Sequence, residues 1–510
     1  MSNNTRIAKN TLFLYFRMIL LMGLSLYTSR ITLKVLGTDD FGIYNVVGGI
    51  VVLFMFFNSA LTSGVQRYLN YYIGKQDEDS LNKIFSQSFF AFIILSIIIF
   101  ILSETLGLLL LEKYMVIPPE RMTAARIIYQ LSIISTILGI IRIPFNAVII
   151  AYEKMSFYAY TSILEGILKL VIIFILQAVA FDKLVLYASL TVVVSIILLV
   201  VYYIYCRLKF NIINFKIYKD KSLLKEILAF SGWNIIGSAA SVLCNQGINI
   251  FINRFFGVAV NAAMGIANTA NNAIYSFLSN FQTAFNPQIV KSYAQNDKEY
   301  LWDLIFKTSK YSFFLLYFII LPFLVNIDFI LALWLADVPH YANIFILWLC
   351  IFTLIDSLSG SLWMLVEAEG NIKTYQIVVG VSGLAVIPLT YIAFRLNLPS
   401  YSGLIIHDIQ LICFFIWRLF YLQKWMKFPV RNYLKKVIIP VIIIIIISVP
   451  CVYYIHSLLT GLLQFLISCI SSIVIVGLLY IFIGTSKDER INLKTILLSH
   501  LLHKNRVENQ

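Results

Sequence analysis

The sequence has little charge. Asp, Glu, Lys and Arg make up 13% of its 510 residues, about half the share of an ordinary soluble domain. Hydrophobic residues make up 60%, and the mean hydropathy is +0.86. A soluble fold is excluded. The apolar residues come as continuous blocks, not as ten-residue alternations, which excludes a membrane β-barrel. Cysteine is sparse: Cys206, Cys244, Cys350, Cys413, Cys451 and Cys469 are scattered at or inside apolar blocks, with no disulfide or metal spacing. There is no G-x-x-x-x-G-K-[ST] loop for a nucleotide phosphate and no H-E-x-x-H or Cys/His cluster, so neither ATP hydrolysis nor a resident metal is expected. Long polar stretches are also missing, which leaves no external domain in which an enzyme could be built. No cofactor is implied.

What is present is a series of apolar blocks, each near the 20 residues that cross a bilayer as a helix. Fourteen spans are expected, roughly at 11–33, 41–64, 85–111, 123–150, 156–180, 183–206, 227–252, 261–285, 304–326, 341–366, 375–395, 399–423, 435–456 and 459–483. Thr11–Leu33 is too long for a cleaved signal core and reads as a retained first span. With the N-terminus placed in the cytoplasm, 28 of the 39 Lys and Arg residues fall in cytoplasmic loops and tails and six fall outside. Lys310 and Arg418 are among those assigned to cytoplasmic loops. This bias orients the chain with both termini inside. It also accounts for most of the net charge of +14, so the surplus records topology and not a nucleic-acid partner.

Sliding the chain against itself by 220 residues brings Lys34-Val35-Leu36-Gly37 onto Arg254-Phe255-Phe256-Gly257. Asp77 then falls on Asp297, Leu81 on Leu301 and Ser88 on Thr308. The shift equals six spans, an even number, so the two copies share one orientation and form a parallel repeat. The expected organisation is a first lobe at 1–206, a basic cytoplasmic linker at 207–226, a second lobe at 227–434, two added spans at 435–483 and a cytoplasmic tail at 484–510. Two six-helix lobes joined by a linker are the layout of an alternating-access transporter.

Charges inside spans cost at least ~2.5–3.5 kcal/mol near the bilayer centre and require a reason. The first lobe holds Arg17 and Arg30 in span 1, Arg142 in span 4, and Glu165 and Lys169 in span 5. Arg17, Arg142, Glu165 and Lys169 can share one level and form a cationic wall for an anionic group, and the arginine fork suits phosphate. Each also has a structural reading. Glu165 and Lys169 are i,i+4 partners. Arg17 and Arg30 can snorkel to headgroups, and Arg142 precedes Pro144 and can satisfy the carbonyls that a proline frees. The second lobe is expected to hold no deep Lys or Arg, only Asp356 and Asp408. With Glu165, these are the candidates for ion coupling. Asn234, Asn245, Asn268 and Asn272 recur at helical spacing on spans 7 and 8. They read either as a polar cavity wall for a hydroxyl-rich ligand or as helix-packing contacts.

Three short motifs point to a family. They are Val35-Leu36-Gly37-Thr38-Asp39-Asp40-Phe41-Gly42-Ile43-Tyr44, Ser63-Gly64-Val65-Gln66-Arg67-Tyr68, and Phe285-Asn286-Pro287-Gln288-Ile289-Val290-Lys291-Ser292-Tyr293. With the span count and the repeat, the chain resembles the polysaccharide transporters (O-antigen and capsule-unit flippases) of the multidrug/oligosaccharidyl-lipid/polysaccharide exporter superfamily. The resemblance implies an all-α polytopic membrane protein with two six-helix lobes in a V and two C-terminal helices. It implies transfer of undecaprenyl-diphosphate-linked oligosaccharide across a bacterial inner membrane for surface polysaccharide synthesis. Implied partners are that lipid-linked substrate, membrane lipids, a polysaccharide polymerase and chain-length machinery. Arg17, Arg30, Arg142 and Lys169 are the candidates here for the cationic cavity of such a carrier. The related lipid II flippases add a basic residue in span 2, and this sequence has none there. A multidrug/cation antiporter of the same superfamily is the alternative. Such antiporters carry an acidic residue deep in span 1 or 7, where this sequence has arginines, or Asn and Ser.

Overall fold

A computed structural model describes residues 3–53, 77–152, 154–179, 181–210, 222–335, 337–369 and 372–485, with a few positions between them. Side chains are described throughout these ranges except at 3–17, 155, 222–236, 283, 284, 287, 291 and 294. The side chains of Arg17 and Asn234, the end of the expected second span, part of the 207–226 linker and the tail beyond 485 therefore lie outside the described residues.

Among the described residues every regular element is helical. The helices are α1 Asn3–Val52, α2 Glu78–Leu102, α3 Met122–Ala151, α4 Met155–Ala178, α5 Lys183–Lys209, α6 Ser222–Phe256, α7 Val258–Ala294 and α8 Lys298–Val325. They continue with α9 Ile327–Trp334, α10 Ala342–Ser357, α11 Gly360–Glu369, α12 Lys373–Arg395, α13 Ser402–Met426, α14 Ile439–Ser457 and α15 Gly461–Leu479. Helix α2 runs on through π turns at Ser103–Gly107 and Leu110–Tyr114. Among the described residues, ten helical segments are long and apolar enough to cross a membrane, or eleven if the bent pair α10–α11 counts as one span. Helices α6 and α7 are not among the ten; α7 carries Asn261, Asn268, Asn271, Asn272 and Asn280, which lower its hydropathy. Rows of exposed large apolar residues, such as Ile94, Ile97 and Ile101 on α2 and Ile442, Ile446 and Tyr453 on α14, face outward from the helices. A helix that is apolar on its exposed side is built for lipid. The chain is a multi-pass membrane protein.

Both ends of the internal repeat have structural counterparts. Gly37 interrupts α1 with φ 80° and ψ 169°, and Gly257 separates α6 from α7 with φ 84°. Only glycine occupies this region without strain, which explains why the same residue recurs at a shift of 220. Asp77 and Asp297 are likewise both helix N-caps. Asp77 accepts from the Ser80 amide at 3.0 Å and Asp297 from the Tyr300 amide at 3.2 Å, the bond that an orphan first-turn N–H needs.

The chain divides into two compact units. One comprises residues 1–273, 332–349 and 371–410; the other comprises 274–331, 350–370 and 411–510. Within the first, α3 packs on α5, α1 on α4 and α5, and α12 on α6. One part of its core is Ile43, Val47 and Ile50 of α1 against Ile128, Tyr129 and Ile133 of α3. At the Gly37 end, Arg121 joins three segments. Its Nε donates to Asp40 Oδ1 at 2.8 Å and its Nη1 to Asp182 Oδ2 at 2.7 Å. Asp182 also caps α5 through the amides of Leu184 and Val185. Burial opposes the Asp182 charge, yet Arg121 and the two amides together hold its carboxyl below the ordinary value. Fully buried Asn253 of α6 accepts from the Val116 amide at 2.8 Å and donates to the Val116 carbonyl at 3.4 Å.

In the second unit α14 and α15 pack on each other and on α8. Helices α10 and α11 meet at a 44° bend. A bend frees carbonyls, and in a membrane these need partners. Gln282 donates to the Ser357 carbonyl, Ser309 and Tyr433 to that of Leu358, and Arg418 to that of Ser359.

Candidate functional site

Within the first unit, α1, α3, α4 and α5 form a cavity of about 550 Å³. Helical periodicity explains its lining. On α4, Tyr158, Ser162, Glu165 and Lys169 recur at three or four residues and so share a face. On α3, Gly139, Arg142 and Asn146 do the same, as do Leu21, Ser25 and Thr28 on α1. Tyr202 completes the wall from α5. Gly166 sets how closely α1 approaches α4. A β-carbon there would lie 2.7 Å from Leu24 Cδ1, so any larger residue would displace the Leu24 side chain.

Three charges meet in this cavity. Lys169 Nζ lies 2.9 Å from Glu165 Oε1, and Arg142 Nη1 lies 3.5 Å from Glu165 Oε2. One carboxylate therefore serves two cations, and the cluster keeps a net positive charge. The Arg142 guanidinium also sits 5.4 Å from the centre of the Tyr202 ring, within cation–π range. The side chains are 28% (Arg142), 31% (Glu165) and 46% (Lys169) exposed, so all three reach the open volume. Two smaller compartments continue from it. One of about 220 Å³ shares Arg142, Glu165 and Lys169 and adds Ser135, Thr136, Thr191 and Ser195. A further one of about 150 Å³ shares Ser135, Thr136 and Thr191. The result is a cationic chamber leading into hydroxyl-lined space, a surface that can bind an anion and hydrogen-bond the groups attached to it.

The structure thus brings together Arg142, Glu165 and Lys169 from the sequence-derived set. It places Arg30 elsewhere. Arg30 is exposed, outside the lining of this cavity, and its Nη1 donates to the Leu333 carbonyl at 3.2 Å. Asn268 and Asn272 lie on the half-buried and exposed sides of α7. Asn245 is exposed and donates to its own helix at Ser241. None of these three lines the described cavities. Asp356 lies 3.5 Å from the Tyr275 hydroxyl and interacts electrostatically with Arg418. Asp408 is 4% exposed, and its Oδ2 has no hydrogen-bond partner among the described residues.

One expectation is corrected. The second lobe does hold buried cations: Arg418 is 6% exposed inside α13 and Lys310 is 5% exposed inside α8. Both lie within the expected spans, 399–423 and 304–326, toward the cytoplasmic ends, where the loop count assigns them to the adjoining loops. The sequence reading also passed over Asn146, Tyr158, Ser162 and Tyr202. The signal for Asn146 and Ser162 was available, because they lie four residues from Arg142 and three from Glu165; Tyr158, seven residues before Glu165, falls on the same helical face. Among the described residues no group of three His, Cys, Asp or Glu side chains converges as a metal site.

Comparison with known structures shows the fold. A lipid II flippase MurJ, in an inward closed conformation, superposes with a TM-score of 0.66 at 15% identity, covering 93% of this chain and 98% of that one. An inward-facing multidrug resistance MATE family transporter of the MOP superfamily gives 0.65 at 13% identity, covering 80% and 96%. A MOP superfamily transporter from Pyrococcus furiosus, described as having a binding pocket of reversed polarity, gives 0.61 at 14%, covering 81% and 96%. Comparison with curated sequences returned no significant match. The MatE family model matches residues 234–392. The polysaccharide biosynthesis protein family model matches residues 7–295, more than half of the chain and all of the helices that build the cationic chamber. The chain belongs to that polysaccharide biosynthesis family, and its fold is the one shared by the MOP superfamily transporter and lipid II flippase structures on which it superposes.

Proposed function

We propose that the protein is a flippase for an undecaprenyl-diphosphate-linked oligosaccharide. It takes the head group from the cytoplasmic leaflet of a bacterial inner membrane and releases it at the outer leaflet for surface polysaccharide synthesis. The observation that carries this reading is the Arg142–Glu165–Lys169 cluster with its unbalanced positive charge. A carrier of cationic drugs would be repelled by such a chamber, whereas a diphosphate gains charge-assisted bonds to both Arg142 and Lys169. The hydroxyl-lined compartments beside it suit the sugars attached to that diphosphate. The positive-inside bias supports cytoplasmic termini. Alternating access driven by a cation gradient at Glu165, Asp356 or Asp408, or by consumption of the flipped product, completes the cycle.

The second reading, a multidrug/cation antiporter, is favoured by the MatE match and by those same carboxylates. The experiment that separates the two uses a strain lacking its own flippase. Restored surface glycan, abolished by Arg142→Ala and Lys169→Ala at normal protein levels, supports the flippase. Full activity of both variants, or drug resistance without glycan export, overturns it.

A further inference from the structure

Asn146 stands in the chamber wall on α3, one turn beyond Arg142. Amides within these helices are commonly tied back to the carbonyl four residues earlier. Asn45 donates to Phe41, Asn245 to Ser241, Asn280 to Ser276 and Asn326 to Pro322, all between 2.7 and 2.9 Å. Asn146 does not do this. Among the described residues its side chain makes no hydrogen bond, and its Oδ1 is enclosed without a donor. An unpaired, enclosed amide oxygen destabilises a fold. Stability therefore does not explain an asparagine at this position. No hydrogen bond restrains the amide, so a rotation that turns Oδ1 into the chamber breaks nothing. Tyr158, Ser162 and Tyr202 line the same volume.

We propose that Asn146 is a specificity-determining residue: it accepts a hydrogen bond from a hydroxyl or amide N–H on the sugar joined directly to the substrate's diphosphate. This rests on the anion-site reading above and extends it to the first sugar. Four residues of helix separate Arg142 from Asn146 by ~6 Å along the axis, a distance that a sugar ester-linked to a phosphate at Arg142 can bridge. The phosphate site would thus give affinity for any polyprenyl diphosphate, and Asn146 would add the discrimination between a bare diphosphate and a glycosylated one.

The test uses the purified full-length protein in lipid nanodiscs and two probes, a short-chain polyprenyl diphosphate and the same lipid carrying one hexose. The wild type should bind the hexosyl form more tightly, by about five-fold for one neutral hydrogen bond. Asn146→Ala should erase that preference and leave affinity for the bare diphosphate unchanged. Asn146→Asp keeps the acceptor but adds a negative charge, so it should weaken both probes and retain the preference. Arg142→Ala should weaken both. If Asn146→Ala is silent, or weakens both probes equally, the inference is overturned. If the wild type binds neither probe, the anion-site reading falls with it, whereas binding of both with a silent Asn146→Ala removes this inference alone.

Discussion

Glu165 yields the sharpest prediction, because two readings of the chamber give it opposite signs. Its carboxylate occupies both cations of the site, at 2.9 Å from Lys169 and 3.5 Å from Arg142. If the chamber receives a diphosphate, Glu165 holds the place of that anion in the empty site and competes with it. Glu165→Gln keeps the shape and removes the charge. Two like charges about 4 Å apart repel by ~4 kcal/mol at an effective dielectric of 20 and by ~1 kcal/mol in water. Glu165 is about one-third exposed, so screening brings the value toward the lower limit, ~1–2 kcal/mol. Diphosphate affinity should therefore rise about 5–30-fold in Glu165→Gln. Arg142→Ala, which removes a charge-assisted hydrogen bond of ~1.5–3 kcal/mol, should lower it about 10–150-fold. Transport should fall in both: Arg142→Ala captures its cargo poorly, and Glu165→Gln, which no longer supplies a competing anion, releases it slowly. The assay is titration of a short-chain polyprenyl diphosphate beside flipping of the same lipid in proteoliposomes. The signature is a lower KM with a lower turnover in Glu165→Gln. Weaker binding in Glu165→Gln would refute the reasoning, because it would make the carboxylate an organiser of the cations and not a competitor.

Two further predictions concern stability. Arg121→Ala should lower the thermal stability of the detergent-solubilised protein by several degrees, because the guanidinium links Asp40, Asp182 and the turn at Pro119–Arg121. The Asp182 carboxyl lies below its ordinary value in the folded chain, so its contribution is full above the unfolded pKa of about 4 and is lost as pH falls through the folded value. The Arg121→Ala penalty, read as a difference in melting temperature, should thus be constant at neutral pH and shrink in acid below that point. In the second unit, Arg418→Ala removes the positive charge that acts on Asp356 and the charge-assisted hydrogen bond to the Ser359 carbonyl, a bond of a kind worth ~1.5–3 kcal/mol. Arg418→Ala with Asp356→Asn should be less destabilised than Arg418→Ala alone in a chemical unfolding assay; an equal loss would show that the two charges are not coupled.

Much of this architecture is legible in the sequence because a bilayer makes hydropathy a direct record of position. The blocks at 183–206 and 375–395 match α5 and α12 almost residue for residue. The repeat was legible through Gly37 and Gly257, since a positive φ leaves few alternatives to glycine. The charge count fails at span ends. Arg418 and Lys310 lie inside the expected spans 399–423 and 304–326 but close enough to the cytoplasmic ends to count as loop cations, although both are buried inside α13 and α8. The first two expected spans, 11–33 and 41–64, meet at the break at Gly37; the tenth is broken between Ser357 and Gly360, and composition carries no trace of that break. In the candidate site, charge spacing identified Arg142, Glu165 and Lys169. Arg30 could not be separated from them, because distance along the membrane normal does not say which way a side chain turns around its helix.

The arithmetic of the buried charges divides the two polar centres. Asp356 and Arg418 are equal and opposite, Arg418 is 6% exposed, and the bonds around them serve the carbonyls freed at the α10–α11 bend. Such a pair can be complete without a ligand. Arg142, Glu165 and Lys169 cannot be complete in the same sense, since two cations share one carboxylate and all three side chains open onto about 550 Å³ of space. A membrane interior penalises uncompensated charge. An odd cluster retained there has to be balanced by water, by a counter-ion or by cargo. The anionic head group proposed above would also make use of the hydroxyl-lined compartments and of the Asn146 amide, whose oxygen has no partner among the described residues.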